Sequence, residues 1–139
     1  MNQLVDDQLL SGILRGASPP KRRAPVYTTG YWYVRLCQAV LGAADRPGTL
    51  SGPFLALPEP VRERAVNALL QLPDSVGLVS LRELAPLIGH HRRRHDLNIL
   101  GMEVLAAAVH LEADVYLSAP SPRLEAALDA EGRRVKIVT

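Results

Sequence analysis

Short apolar runs separated by helical segments constrain the fold of this chain more than any other feature of its sequence. Such runs lie at residues 3–5, 76–80, 115–118 and 135–138, and residues 26–29 form a fifth short extended piece. Short buried strands that alternate with helices are typical of a parallel sheet covered on both faces. We therefore expect an α/β fold, a three-layer α/β/α sandwich whose central, mostly parallel sheet has four or five strands joined by right-handed crossovers.

Helical spacing of apolar residues, with capping or breaking residues at the ends, predicts the segments between these strands. Gly16 ends the first helix, Thr28 or Thr29 can cap the second, and Pro86 limits the one that starts at Leu81. Residues 17–25 and 43–53 are rich in proline, glycine and small residues, and are predicted to be loops. The predicted helices cover about residues 9–14, 30–41, 57–72, 81–88, 99–112 and 123–131.

Size and composition indicate a single globular domain. The chain has 139 residues, of which 47% are hydrophobic and 22% are charged, as expected for a folded protein. Cys37 is the only cysteine, so a reducing compartment is favoured, and we expect its thiol to be buried and inert. No apolar run approaches the roughly 20 residues of a membrane span, and no basic segment precedes an apolar one at the N-terminus. These features predict a cytoplasmic protein that does not associate with membranes.

Three stretches of the sequence, taken in order, resemble a PIN domain. Residues 4–10 (LVDDQLL) are similar to the opening strand and acidic turn of that family, residues 97–118 to its alanine-rich helix and following strand, and residues 123–138 to its closing helix and strand. The resemblance implies a site in which three or four carboxylates, at the carboxyl ends of the central strands, hold Mg²⁺ or Mn²⁺ for cleavage of RNA.

The acids that the resemblance requires are only partly present. Asp6 matches the first, with Asp7 beside it, and Glu103 lies two residues beyond the third position. The second position falls within residues 32–35, which contain no acid and include Arg35. The fourth falls on residues 119–120, an alanine and a proline. An arginine near the site would repel a cation and attract a phosphate.

The resemblance therefore implies a catalytically degenerate PIN-like domain that needs no cofactor and acts by binding a protein or a nucleic acid. The alternative is an active ribonuclease that depends on Mg²⁺ or Mn²⁺, such as the toxin of a type II toxin–antitoxin pair. Its catalytic acids would be Asp6, Asp7 and Glu103, and its metal ligands would be Asp6 and Glu103.

Two basic segments are candidates for contacts with nucleic-acid phosphates, although the net charge of +2 is too small to indicate such a partner by itself. For each segment the competing interpretation is a solvated loop. The first segment could join the same basic surface as the second. The candidate residues are Lys21, Arg22, Arg23, Arg92, Arg93 and Arg94. His91 and His95 could share a metal on a helical turn, but the three arginines between them argue against it.

An aromatic cluster provides a candidate interface. Tyr27, Tyr31, Trp32 and Tyr33 lie within seven residues of one another. They could stack on bases or form the face of a homodimer, and we expect Trp32 to point inward and Tyr31 or Tyr33 outward. The partners left open by the sequence are a second copy of the chain, a small regulatory protein, and RNA or DNA.

Overall fold

The computed structural model of the protein describes residues 1–42 and 48–138, which form a five-stranded sheet and seven helices. The strands are β1 (Gln3–Val5), β2 (Val26–Thr28), β3 (Val76–Leu78), β4 (Asp114–Leu117) and β5 (Val135–Ile137). The helices are α1 (Asp7–Leu14), α2 (Gly30–Leu41), α3 (Gly52–Leu55), α4 (Glu59–Leu70), α5 (Leu81–His91), α6 (Ile99–Leu111) and α7 (Pro122–Ala130).

All five strands are parallel, in the order β3-β2-β1-β4-β5. The predicted α/β fold with a parallel sheet is therefore confirmed. Because the strands are parallel, their carboxyl ends all lie at one edge, which we call the carboxyl edge. The strand order reverses between β1 and β4, and sheets of this kind bind ligands in the crevice outside the carboxyl ends at such a point.

Side chains alternate across the sheet and build one core on each face. Leu4 and Val115 point into a core that contains buried residues of α5, α6 and α7. Val5 and Tyr116 point into the opposite core, with residues of α1, α2 and α4. The fold thus has three layers. None of the helices in the described ranges is both long and apolar enough to cross a bilayer.

Pro86 does not limit α5, contrary to the prediction. The helix continues to His91 with Pro86 in its interior. Proline removes the hydrogen bond to the carbonyl four residues earlier, here that of Arg82. Both residues are exposed, so water can hydrogen-bond to that carbonyl. Leu84, Leu87 and Ile88 pack against the core and stabilise the continued helix.

The predicted loop over residues 43–53 is interrupted by α3 at its end. Residues 43–47 lie outside the described part of the chain. Pro53 sits in the first turn of α3, where its missing N–H costs no hydrogen bond. Phe54 is fully buried in the core beside α1, α2 and α4. Burial of one aromatic side chain thus accounts for a short helix in a segment that otherwise reads as a loop.

Candidate functional site at the carboxyl edge

Asp6 links the ends of β1 and β4 at the point where the strand order reverses. Its Oδ2 accepts hydrogen bonds from the backbone N–H of Ser118 at 2.7 Å and from the Ser118 hydroxyl at 2.6 Å. Its Oδ1 accepts from the N–H of Leu9 at 2.9 Å, which makes Asp6 the N-cap of α1. Each of the two carboxylate oxygens therefore accepts at least one hydrogen bond from the protein.

Glu103 caps another helix. Its side chain is fully buried, and its two oxygens accept from the N–H groups of Gly30 at 3.1 Å and Tyr31 at 2.9 Å. These donors belong to the first turn of α2 and have no partner within that helix. A Cβ atom on residue 30 would lie 3.1 Å from Oε2, so glycine lets the carboxylate approach the backbone closely.

The sequence carries a signal for the buried role of Glu103. Glu103 is the only acid within α6, and residues 101–108 of that helix are all buried. A carboxylate on a helix buried on every side needs its own hydrogen-bond donors. The free N–H groups at the start of a neighbouring helix are such donors.

Asp7 is buried beside Asp6 and contacts Arg35. Burial raises the pKa of the Asp7 carboxyl above its ordinary value, and the nearby Asp6 carboxylate adds to this rise. The Arg35 guanidinium lowers the pKa of Asp7, since its Nε lies 3.5 Å from Oδ2. The N–H of Gln8 donates to Oδ1 of Asp7 at 2.8 Å. Asp7 is thus a partly desolvated carboxylate paired with an arginine.

The Asp7→Asn variant tests this environment. Because the pKa of Asp7 is raised above 3.8, the folded state binds more protons than the unfolded state at pH values just above that point, and the stability due to Asp7 falls as the pH rises. The amide keeps the acceptor for Gln8 and loses only a partly exposed ion pair, so we expect a change within about 1 kcal/mol at pH 7. Urea unfolding at several pH values should show the stability of the wild type falling relative to that of the variant as the pH rises from 3.8 towards neutrality. A difference that stays constant over this range would contradict the assignment.

The three acids do not fit a Mg²⁺ or Mn²⁺ site. Mg²⁺ takes about six oxygen ligands in near-octahedral geometry, so the carboxylates that hold it must point at one ion. Asp6 and Glu103 use both oxygens to accept N–H or O–H bonds, and Asp7 faces Arg35. The acids expected at residues 6, 7 and 103 do lie near one edge of the sheet, but Asp6 and Glu103 cap helices and Asp7 pairs with Arg35.

A basic cleft lies at this same edge. The sequence places Arg35 near the site but does not indicate Arg123. The cleft has a volume of about 370 Å³ and is lined by Arg35 of α2, Arg123 of α7, and Asn98, Leu100 and Gly101 at the start of α6. The side chains of Arg35 and Arg123 are 55% and 78% exposed. The N-terminus of α6 carries partial positive charge, and Asn98 satisfies only one of its N–H groups, that of Gly101 at 2.8 Å. The cleft thus presents positive charge to solvent.

Arg92 lies beside this cleft, whereas Arg94 lies 3.4 Å from Glu131 at the opposite end of α7. Arg92 donates to the carbonyl of Leu97 at 2.6 Å and pairs with Asp96 at 3.1 Å. Arg123 in turn donates to the carbonyl of Asp96 at 3.0 Å. Surface pairs of this kind contribute little energy and can exchange for phosphate. The structure therefore brings Arg92 and Arg123 to the same side of the protein.

Lys21, Arg22 and Arg23 lie elsewhere, so the two basic segments do not form one surface. Their loop packs around the amino end of β1, where Gln3 donates to the carbonyl of Lys21 at 2.6 Å. They line a separate cavity of about 520 Å³ that also includes Asp114. The chain has to return from the end of α1 to the amino edge of the sheet in order to enter β2 as a parallel strand, and this carries the loop away from Asp6.

The aromatic residues of α2 are used mainly inside the protein. Trp32 is 4% exposed, in agreement with the inward orientation predicted for it, and so cannot contribute to an interface. The hydroxyl of Tyr33 donates to the carbonyl of Leu69 at 2.6 Å and holds α2 against α4. Tyr31, at 37%, is the aromatic side chain of this helix that faces solvent.

Comparison with models of protein families gives no match, and comparison with curated proteins gives no significant one. The function of this chain must therefore be inferred from the chemistry of its own residues.

Proposed function

We propose that this protein is a PIN-like domain without metal-dependent nuclease activity, and that it acts by binding nucleic acid at the carboxyl edge of its sheet. The proposal rests on the charge at this edge, where arginines face solvent and the carboxylates that a nuclease would present are hydrogen-bonded within the protein. Its carboxylates are occupied as caps and tethers, and its solvent-facing cleft is lined by Arg35 and Arg123. A similar fold does not by itself determine activity. We therefore choose between metal-dependent cleavage of RNA and binding of nucleic acid from the charge of the site.

The basic cleft favours a phosphate-bearing ligand over a small regulatory protein. Arginine presents several N–H donors that match phosphate oxygens, and free N–H groups at a helix start add to the attraction. Arg92, which shares Asp96 with Arg123, extends this charge beyond the cleft. A single-stranded backbone that crosses the cleft would pass from Arg35 to Arg123 and then to Arg92.

The matching experiment is fluorescence anisotropy with labelled single-stranded RNA and DNA of mixed sequence. We expect affinity to fall with rising salt, because phosphate contacts release counterions. The Arg35→Ala and Arg123→Ala variants should each weaken binding and reduce the salt slope by about one. Incubation of the RNA with the protein and Mn²⁺ should leave it intact.

A charge-matched control separates the site from net charge. The Lys21→Ala and Arg22→Ala variants remove the same charge from the opposite edge of the sheet, and should change affinity much less. Equal losses in both pairs of variants would indicate non-specific attraction and contradict the proposal, as would cleavage that requires Mn²⁺.

The proposal has two further parts that rest on the sequence analysis, the location of the protein in the cell and its oligomeric state. A single cysteine favours the cytoplasm. We also propose a homodimer formed through α2, where Tyr31 and Val34 lie one turn apart with exposures of 37% and 48%. Light scattering should give twice the mass of one chain, and the mass of one chain would contradict this part of the proposal.

A further inference from the structure

A second polar cluster lies away from the carboxylates of the first site, where the ends of α5 and α7 meet. Oε2 of Glu131 lies 2.7 Å from Nε2 of His95, and Oε1 lies 3.9 Å from Nδ1 of His91. One ligand atom from each of the three residues can be chosen so that all three atoms lie within 4.8 Å of one another. His95 follows His91 by one helical turn, since its N–H donates to the His91 carbonyl at 3.1 Å.

His91 provides an independent sign that a ligand is missing from this cluster. The residue is 5% exposed, and its Nδ1 is buried without a hydrogen-bond partner among the described residues. Buried polar atoms in native proteins nearly always have a partner. The Nδ1 atom faces the Glu131 carboxylate at a distance too long for a hydrogen bond, and a small cation between them would satisfy both groups.

The arrangement matches the ligands and spacing of a zinc site. Zinc is bound by imidazole nitrogens and carboxylate oxygens at about 2.0–2.2 Å, so two ligand atoms of a tetrahedral site lie about 3.3 Å apart. Two histidines four residues apart, with a glutamate from another element, are a recurring set of this kind. Here His91 is the last residue of α5 and His95 lies one turn beyond it. The present distances bracket that separation, and shifts of about 1 Å by the side chains would complete the geometry.

The neighbouring arginines do not prevent binding. Arg92 is held by Asp96 and the Leu97 carbonyl. Arg94 lies 3.4 Å from Oε2 of Glu131, but its side chain is 59% exposed and can turn into solvent. Arg94 in its present position acts as a weak counter-ion to Glu131, which a divalent cation would displace.

We propose that His91, His95 and Glu131 bind one divalent cation of the zinc class through two imidazole nitrogens and one carboxylate oxygen, and so fasten the end of α5 to the end of α7. Three protein ligands leave a fourth position for water. The site is independent of the proposed nucleic-acid function, and uses none of the acids that the resemblance to PIN domains implies.

The test is a zinc titration of the full chain after treatment with EDTA, followed with a competing indicator and by thermal unfolding. We expect one zinc ion per chain, and a melting temperature roughly 10 °C higher at a hundredfold excess over Kd. His91→Ala, His95→Ala and Glu131→Gln should each weaken binding by at least about tenfold, since each removes a direct ligand. His95→Gln, which keeps a polar group facing Glu131, should show the same loss and guards against a general folding defect.

Matched controls are available on the same chain. His90→Ala removes an exposed histidine next to the site, His110→Ala removes an exposed histidine of α6, and Cys37→Ser removes the only thiol. All three should bind zinc as the wild type does. The proposal is overturned if the wild type binds zinc no more tightly than about 100 μM. It is also overturned if the ligand variants and the controls lose affinity equally.

Discussion

Replacing Glu103 with glutamine is expected to lower the free energy of unfolding by about 2–4 kcal/mol. The Glu103 carboxylate accepts from two N–H groups at the start of α2 in a fully buried position. Glutamine offers one oxygen and one NH₂ group, so one buried N–H of α2 would face another donor. Urea unfolding should show a lower midpoint with an unchanged m-value, because the loss is local to the folded state.

The sign of this effect separates a structural acid from a metal ligand. In a nuclease site without its metal, carboxylates repel one another, and replacement of one by an amide is neutral or stabilising. Glu63→Gln, a matched change at an exposed position of α4, should alter stability by less than about 0.5 kcal/mol. A Glu103→Gln variant as stable as Glu63→Gln would contradict the role assigned to Glu103.

Replacing Asp6 with alanine is expected to destabilise the protein by about 2–4 kcal/mol. The variant loses the N-cap of α1 and both bonds from Ser118, which join the ends of β1 and β4. Ser118→Ala removes only the hydroxyl donor and should cost about 1 kcal/mol. The measurement is urea unfolding of the two single variants and the double variant.

The double variant Asp6→Ala/Ser118→Ala measures the interaction between these two side chains. Because the Ser118 hydroxyl has no acceptor once Asp6 is gone, the two losses should not add, and the cycle should give a coupling energy of about 1 kcal/mol. Asp7→Asn is the matched control at the neighbouring acid, with a change within about 1 kcal/mol. Additive losses would mean that the two side chains do not interact in solution.

The order and type of the main elements were readable from the sequence because each has a local signal. Buried strands such as residues 115–118 are short apolar runs bounded by turn residues, and Thr29 and Asn98 cap the helices that follow them. The continuation of α5 through Pro86 was not readable. It depends on core packing by Leu84 and Ile88, which is a tertiary effect.

The contacts of the site were harder to predict from the sequence because they join residues that lie far apart along the chain. Glu103 lies on a helix buried on all sides, so apolar periodicity could not indicate which way its carboxylate points. Asp6 contacts Ser118, which is 112 residues away along the chain, and Glu103 contacts Gly30, which is 73 residues away. The meeting of His95 with Glu131 depends on how the loop after α5 lies along α7. Residue types predicted which groups were available, and the topology decided which of them meet.

The most direct test of the account is an anomalous difference map from crystals soaked in Mn²⁺. We predict no manganese peak between the side chains of Asp6, Asp7 and Glu103. The oxygens of Asp6 should still accept hydrogen bonds from Ser118 and Leu9, and those of Glu103 from Gly30 and Tyr31. An ordered manganese ion coordinated by Asp6 and Glu103 would contradict the account and restore the metal-dependent ribonuclease.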